Sequence, residues 1–209
     1  GITEDILARL MMCDFETLRR RSAALARLLT DADDAHIECP RGTDLRLDLS
    51  GRTGMVDDGD LSGERAFGNL PCGEGFTSPL AGEGRMVASS LAGIGLPQND
   101  PALLTVEGGK LVAATEPEGE RLLATLQAAG PEGTNLAELG IGTNERATLT
   151  GNVLEDEKIL GSVHVAFGAS AGIGGTVSVP VHLDCVILDP TLHIGGTLVL
   201  DGGRFVLDA

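Results

Sequence analysis

The tripeptide His182-Leu183-Asp184 is the first feature of the sequence that suggests chemistry. Residues two apart on a β-strand project from the same face, so this imidazole and this carboxylate would meet at one point. Nitrogen and oxygen donors placed together in this way suit a transition metal ion. A histidine that is simply held by a neighbouring acid is the alternative interpretation of the same spacing.

Three further residues have the same character. His164 lies in an otherwise apolar segment, residues 162–167, where a core histidine with a satisfied hydrogen bond is the alternative to a ligand. Glu138 lies among apolar neighbours, where an unpaired acid would be costly to bury, so a metal or another cation is its natural partner. Glu74 lies between Gly73 and Gly75, which indicates close approach of the backbone to another group.

Together these residues supply three carboxylates and two imidazoles. This is the inventory of a co-catalytic site with two metal ions, in which one carboxylate bridges the ions and a bound water loses its proton near neutral pH. The five residues together are stronger evidence for a metal site than any one of them alone.

The sequence predicts two segments with different secondary structure, and the second must position these residues. The first thirty or so residues are predicted to be helical, with Asp14 capping a helix from Phe15 to Leu29 that ends in the acidic run of residues 31–34. From His36 onward, alternating apolar residues and 30 glycines in the whole chain favour a turn-rich β domain. We therefore predict a helical lead-in over residues 1–35 and a metal-binding β domain over residues 36–209.

The fold class predicted for the whole chain is α+β, with mixed or antiparallel strands and few helices. One internal helix is expected, since Thr115 and Glu118 form a capping-box pattern, Pro117 follows the cap and Gly130 closes the segment. Turns are predicted at Gly51, Gly54, Gly59 and Gly63, and a hairpin at 107–109. Further strands are predicted near Val87 and over residues 45–49, 103–106, 110–113, 164–167, 177–181, 184–188, 197–200 and 204–207.

Composition excludes several classes of function. A formal net charge of -16 argues against a nucleic-acid partner, because phosphates require a basic surface. The chain has no apolar run near the ~20 residues of a membrane span and opens with no basic, apolar leader. No membrane partner is therefore expected, and a cytoplasmic protein is the default. The four cysteines show no CxxC spacing, which favours reduced thiols.

The candidate ligands lie in four short segments of the sequence. In chain order these are Asn69-Leu-Pro-Cys-Gly-Glu-Gly-Phe-Thr-Ser-Pro79, Ala137-Glu-Leu-Gly-Ile-Gly142, His164-Val-Ala-Phe-Gly168 and His182-Leu-Asp184. They resemble, in the same order, the metal-binding segments of the aminopeptidase T (thermophilic leucyl aminopeptidase) family of metallopeptidases. An earlier segment, Cys39-Pro-Arg-Gly-Thr-Asp-Leu45, resembles the family strand that precedes them.

The resemblance implies metal ligands at five positions, with Glu138 as the bridge between two ions. These ligands are Glu74, Glu138, His164, His182 and Asp184. Glu157, in the acidic segment before His164, would act as a second catalytic residue that binds a substrate amine or positions a ligand. Its neighbours Glu155 and Asp156 equally suit a solvated acidic turn. The resemblance also implies a homodimer.

Two features depart from the family pattern. Typical members carry a tyrosine shortly after the segment that begins at His164, whereas this chain has Ala-Ser-Ala-Gly around Ala171 and no tyrosine at all. Loss of such a hydrogen-bond donor lowers a rate by ~10²-fold or more. The family also has an amino-terminal α/β domain, which is expected to precede Gly1 and is absent from this sequence.

The leading functional hypothesis is a metal-dependent aminopeptidase that acts on peptides with two divalent ions, zinc, cobalt or manganese. The alternative is an Fe(II) ring-cleaving dioxygenase of the 2,5-dihydroxypyridine type, which shares ancestry with the family and needs only His164, His182 and Asp184. A non-catalytic relative that binds a metal or a peptide is the third hypothesis.

Overall fold

Fourteen strands and four α-helices are formed by the residues that the computed structural model describes, 2–62 and 68–207. The helices are α1 (Glu4–Leu10), α2 (Phe15–Asp31), α3 (Glu116–Ala128) and α4 (Val153–Asp156). The first strands are β1 (Asp34–Glu38), β2 (Asp44–Asp48), β3 (Met55–Asp57), β4 (Glu74–Thr77), β5 (Ala81–Ala88), β6 (Ser90–Leu91), β7 (Ala102–Glu107) and β8 (Lys110–Ala114). The remaining strands are β9 (Leu136–Gly142), β10 (Val163–Gly168), β11 (His182–Ile187), β12 (Thr191–Ile194), β13 (Thr197–Asp201) and β14 (Arg204–Phe205).

These strands form two sheets. The larger has the order β14-β13-β12-β1-β2-β5-β7-β8, and the smaller has the order β3-β4-β9-β10-β11-β6. The pairings between neighbouring named strands are antiparallel throughout. The predicted α+β class with mostly antiparallel strands is therefore confirmed.

Helix α2 begins where the sequence predicts and covers part of the smaller sheet. Asp14 caps the helix, because its Oδ1 accepts hydrogen bonds from the backbone N–H groups of Glu16 and Thr17. Leu25 is fully buried and faces Gly75 on β4, where an added Cβ would lie 2.6 Å from the Leu25 Cβ. The close approach expected beside Glu74 is thus an approach to this helix.

One continuous core joins the helices to both sheets. Leu25 of α2 and Leu126 of α3 belong to it, together with Ile37 of the larger sheet and Leu139 and Phe167 of the smaller one. The helical segment that precedes residue 36 therefore packs into the same core as the β domain. The domain boundary proposed at residue 35 stays a prediction.

Several local predictions are corrected by the structure. The amino-terminal helix is interrupted at residues 11–14, which separate α1 from α2. The predicted capping box at α3 does not form, because the Thr115 hydroxyl instead accepts the Leu103 N–H. Residues 177–181 form no strand, although the Val177 carbonyl accepts hydrogen bonds from two turn residues. The predicted turn at Gly63 lies outside the described residues.

The predicted hairpin forms. Gly108 and Gly109, both at positive φ, form the hairpin turn between β7 and β8. All four cysteines are free and buried, as reduced thiols would be. No helix in the described part of the chain combines the length and the apolar character needed to cross a bilayer.

We expect Leu25→Ala to lower the free energy of unfolding by about 2–5 kcal/mol, because it opens a cavity between α2 and β4. Urea denaturation followed by circular dichroism measures the change. Leu80→Ala is the matched control, since Leu80 is 53% exposed and should change stability by less than ~0.5 kcal/mol. Equal effects of the two substitutions would contradict the packing described for α2.

Candidate metal centre

Five residues predicted as metal ligands come together on one face of the smaller sheet. Glu74 opens β4, Glu138 lies on β9 and His164 on β10, while His182 and Asp184 lie on β11. Because β4, β9, β10 and β11 are consecutive neighbours in the sheet, side chains of the same face converge without any help from loops. The expectation that His182 and Asp184 share a face is met.

Small residues opposite the functional ones make room for them. Ala166 on β10 is the cross-strand partner of both Glu138 and Asp184. Gly140 is the partner of His164, and a Cβ at Gly140 would lie 2.0 Å from His164 Nε2. The imidazole therefore occupies the space that a side chain at position 140 would fill.

The donor atoms form two groups that share Glu138. In the inner group, defined as Glu74, Glu138 and His164, one ligand atom of each residue lies within 4.8 Å of the others. In the outer group, defined as Glu138, His182 and Asp184, one ligand atom of each residue likewise lies within 4.8 Å of the others. No group of three such atoms among the described residues contains both histidines.

Glu138 divides its two oxygens between these groups. Its Oε1 lies 3.7 Å from His164 Nε2, and its Oε2 lies 3.1 Å from His182 Nε2. Glu74 Oε2 lies 3.1 Å from His164 Nε2, and Asp184 Oδ1 lies 3.6 Å from His182 Nε2. A carboxylate that faces two imidazoles through different oxygens has the arrangement of a bridging ligand.

The histidines differ in how their rings are fixed. His182 Nδ1 lies 2.7 Å from the Ala169 carbonyl oxygen, and because a carbonyl only accepts, Nδ1 carries the proton. The other nitrogen, Nε2, is then the one available as a ligand when the ring is neutral. His164 Nδ1 is buried without a hydrogen-bond partner, as is Glu74 Oε2.

A lysine that the sequence analysis missed lies beneath these ligands. Lys158 is fully buried, and its Nζ lies 2.6 Å from Glu74 Oε1 and 2.8 Å from Glu157 Oε1. The same Nζ lies 3.4 Å from Asp57 Oδ2, and Asp57 is the cross-strand partner of Glu74. The chain has only two lysines, Lys110 and Lys158, and the place of Lys158 in an acidic segment was the one available signal.

Glu157 and Asp57 carry the clearest signs of crowded negative charge. Burial raises the pKa of Glu157 to about 8, with Asp184 and Glu74 adding to the rise against the opposing ammonium of Lys158. Burial likewise raises the pKa of Asp57 to about 6. The pKa of Lys158 lies well above its usual value, because Glu74, Glu157 and Asp57 outweigh the opposing effect of burial.

The pKa values of four of the proposed ligands are shifted in the direction that favours their charged forms. Burial alone would raise the pKa of Glu74 and of Asp184, but Lys158 and His182, respectively, outweigh it and lower each value to about 2. Burial would lower the pKa of His182, yet its contacts with Asp184 and Glu138 raise it to about 11. The pKa of His164 is also raised well above its usual range by Glu138 and Glu74, against burial. Positive charge is favoured between these carboxylates.

Glu155 and Asp156, for which a solvated acidic turn was considered, are fully buried and structural. Glu155 accepts hydrogen bonds from Thr148 and from the Arg9 guanidinium of α1. Asp156 accepts them from the Ser90 hydroxyl and the Thr150 N–H. These acids fix the loop before α4 and so hold the adjoining Glu157 and Lys158 under the site.

Two cavities open onto the ligands. One, of about 370 Å³, is lined by both histidines together with Glu157, Leu154 and Leu183. The other, of about 260 Å³, has apolar walls from Val56, Phe76 and Ile173. Glu74, Glu138, His182 and Asn69 line both cavities. The two cavities therefore adjoin each other at the ligand cluster.

The region that departs from the family pattern contributes no donor side chain to the second cavity. Residues Ala171–Ile173 form a 3₁₀ turn, and Gly172 and Ile173 line the apolar cavity. The turn is held by backbone hydrogen bonds around Ser170 and by the Arg52 guanidinium, which donates to the Gly174 carbonyl.

The donor set fits divalent metal ions. It combines carboxylate oxygens with imidazole nitrogens, the ligands favoured by zinc, cobalt, manganese and iron. Glu74 Oε2 is buried without a hydrogen bond, which is a cost that a bound cation would remove. The fold and this cluster therefore define the class as a candidate metalloprotein.

The sequence comparison identifies the family. The model of the thermophilic metalloprotease (M29) family matches residues 12–177, which is more than half of the chain. The chain therefore belongs to this metallopeptidase family, as the resemblance in the sequence implied. His182 and Asp184 lie beyond the matched segment. No curated protein matches the chain.

Two solved structures share the fold. A 2,5-dihydroxypyridine dioxygenase from Pseudomonas putida KT2440 matches with a TM-score of 0.87 and 21% identity over 98% of this chain and 63% of its own. Wild-type AmpT from Thermus thermophilus matches with a TM-score of 0.71 and 22% identity over 93% of this chain and 56% of its own. The chain thus spans less than two thirds of either protein, and at these identities the likeness concerns the fold alone.

Gly140→Ala should displace the His164 ring, because the new Cβ falls on its Nε2 and β9 is held by strands on both sides. We expect a loss of about 1–3 kcal/mol in the free energy of unfolding and weaker zinc binding. Chemical denaturation and calorimetric titration measure the two effects. Gly172→Ala is the control, since a Cβ there meets nothing within 4 Å. An unchanged zinc affinity in Gly140→Ala would contradict the geometry given for His164.

The metal-free protein should lose stability as pH rises. The pKa of His182 is raised from 6.5 to about 11, so its contribution to the free energy of unfolding is complete below pH 6.5 and is lost as pH approaches 11. Glu157, whose pKa is raised from 4.5 to about 8, acts in the same direction over its own window. Zinc requires neutral imidazoles, so the increase in Tm on adding zinc should instead grow with pH.

Thermal unfolding between pH 6 and 9, with and without zinc, tests these opposite slopes. His182→Asn should flatten the slope of the metal-free protein, whereas His193→Asn on β12, in the larger sheet, should leave it unchanged. A zinc-induced increase in Tm that is independent of pH would contradict ligation by these histidines.

Proposed function

We propose that the chain is the catalytic part of a metal-dependent aminopeptidase that holds two divalent ions, zinc, cobalt or manganese. The inner group would hold one ion and the outer group the other. The observation that carries the proposal is the division of the Glu138 oxygens between His164 and His182. When bound, such ions act as Lewis acids and generate hydroxide from water near neutral pH.

The chain's own residues would orient and bind the substrate. Glu138 bridges the two groups and keeps His164 and His182 apart. Glu157 lines the cavity beside the ligands, and its pKa of about 8 suits a carboxyl that takes up and returns a proton or binds a substrate amine. Phe76 and Ile173 line the apolar cavity and would exclude water from it.

Charge balance supports two ions rather than one. The cluster contains five carboxylates and the single ammonium of Lys158. With Glu157 protonated, as its raised pKa indicates, the other four acids ionised and both imidazoles neutral, three negative charges remain, which exceed the charge of one divalent ion. The carboxylates are those of Asp57, Glu74, Glu138, Glu157 and Asp184.

An Fe(II) dioxygenase is the second candidate, and two observations favour it. The dioxygenase neighbour matches more of this chain than the AmpT neighbour does, and the chain has no tyrosine. That chemistry needs two histidines and one carboxylate on one ion. His164 and His182 belong to different groups of donor atoms, so the geometry supports the hydrolase more strongly.

Three features of the proposal concern the setting of the protein. A peptide is the proposed partner, and the cytoplasm is the proposed compartment, which the four free cysteines support. A homodimer stays a prediction from the family resemblance.

Metal analysis joined to activity assays separates the candidates. Two ions per chain and release of leucine from a leucine anilide would support the hydrolase. One iron per chain with oxygen uptake on 2,5-dihydroxypyridine would replace it with the dioxygenase. Purified chain that binds neither zinc, cobalt, manganese nor iron would indicate a non-catalytic relative.

We expect Glu138→Gln to reduce metal binding from two ions to one, because an amide offers one oxygen and no charge to share. Loss of a residue that only hydrogen-bonds a metal ligand costs ~10–100-fold in activity. Glu138 is itself a proposed ligand, so kcat/KM should fall by more than this. Metal content and anilide hydrolysis measure the two effects. Glu118→Gln is the control, because Glu118 is buried on α3, outside the cluster. Full activity in Glu138→Gln would refute the bridging role.

A further inference from the structure

The two groups of metal ligands have unequal surroundings. Lys158 contacts the inner group directly, through the 2.6 Å hydrogen bond from its Nζ to Glu74 Oε1. Among the described residues, the ion pairs of Lys158 are with Asp57, Glu74 and Glu157, none of which belongs to the outer group. The single ammonium of the cluster therefore acts mainly on the position formed by Glu74, Glu138 and His164.

Lys158 weakens the inner position in two ways. A positive charge next to a ligand repels a divalent cation, and inside a protein one unit charge a few ångströms away changes an equilibrium by well over tenfold. The ammonium also draws electron density from the Glu74 carboxylate by a charge-assisted hydrogen bond. Removing the residue that hydrogen-bonds a metal ligand usually lowers the metal affinity by ~10–100-fold. Lys158 differs from such residues, because it carries a positive charge like the metal and so opposes metal binding.

Burial also weakens metal binding at the inner position. The side chains of His164 and Glu74 are 1% and 7% exposed, whereas the His182 side chain is 32% exposed. An ion at the inner position must therefore give up more of its water than one at the outer position. The outer histidine is also the one whose Nδ1 donates a hydrogen bond, to the Ala169 carbonyl, whereas His164 Nδ1 has no hydrogen-bond partner.

We propose that Lys158 makes the two metal positions unequal, so that the outer group binds its ion first and the inner group binds the second ion more weakly. The inference rests on the proposed two-metal function. Lys158 is a positioning residue in this scheme, because it holds Glu74 by Oε1 and leaves Oε2 facing His164. The lysine thereby sets the metal concentration at which the second ion is acquired.

Calorimetric titration of the metal-free chain with zinc tests the inference. Two steps should appear, with dissociation constants that differ by at least tenfold. His164→Ala should remove the weaker step and keep the tighter one, and His182→Ala should remove the tighter one. Two equal steps, or loss of the tighter step in His164→Ala, would overturn the inference and leave the two-metal proposal intact. A single ion in every titration would overturn the proposed function itself.

The lysine is tested by Lys158→Met, which should tighten the second step at least tenfold. Lys158→Arg, which keeps the charge, should retain the gap, and Lys110→Met is the matched control, since Lys110 is the other lysine and is exposed. A second step that weakens in a folded Lys158→Met protein, as judged by circular dichroism, would overturn the role given to the ammonium. If that variant does not fold, the pair of histidine variants still decides the order of binding.

Discussion

Buried negative charge has to be matched by protons or cations, and the arrangement of the smaller sheet depends on how this is done. Asp57 and Glu74 face each other across β3 and β4, a placement that would repel without a cation between them. Lys158 supplies that cation from a segment distant in sequence. Removing one partner of such a buried pair typically costs about 3–5 kcal/mol. The lysine therefore stabilises the fold and the ligand geometry together.

Two glycines of β9 are as important to the site as the side chains around it. Gly142 on β9 allows the backbone at Ile159 to come so close that an added Cβ would lie 2.1 Å from its carbonyl oxygen. This contact brings Lys158 over the sheet. Gly140, on the same face of β9, leaves space for the His164 ring. Glycine in a strand interior weakens the strand, and β9 contains it where another chain segment or a functional side chain has to approach.

The sequence predicted the ligands better than the network that supports them. His182 and Asp184 were predictable because spacing within one strand determines which face a side chain occupies. The strand positions of Glu74 and Glu138 were not predicted, since the glycines beside them resemble turns. The roles of Asp57 and Lys158 depend on pairing between segments far apart in the chain, which local periodicity does not encode. Residues 177–181 have the apolar alternation of a strand, but their backbone instead closes the turn that follows β10.

The two proposed chemistries need different numbers of ions, so the placement of the two imidazoles of this chain bears on the choice between them. In this chain the rings are held by separate anchors. His164 lies over Gly140 and against Glu74, which Lys158 fixes in turn, and His182 is tied to the Ala169 carbonyl. The hydrogen bond at Ala169 leaves Nε2 of His182 free to bind, and this atom lies nearest to one Glu138 oxygen while His164 Nε2 lies nearer to the other. This division of the Glu138 oxygens is the physical basis of the proposal that two ions share one carboxylate.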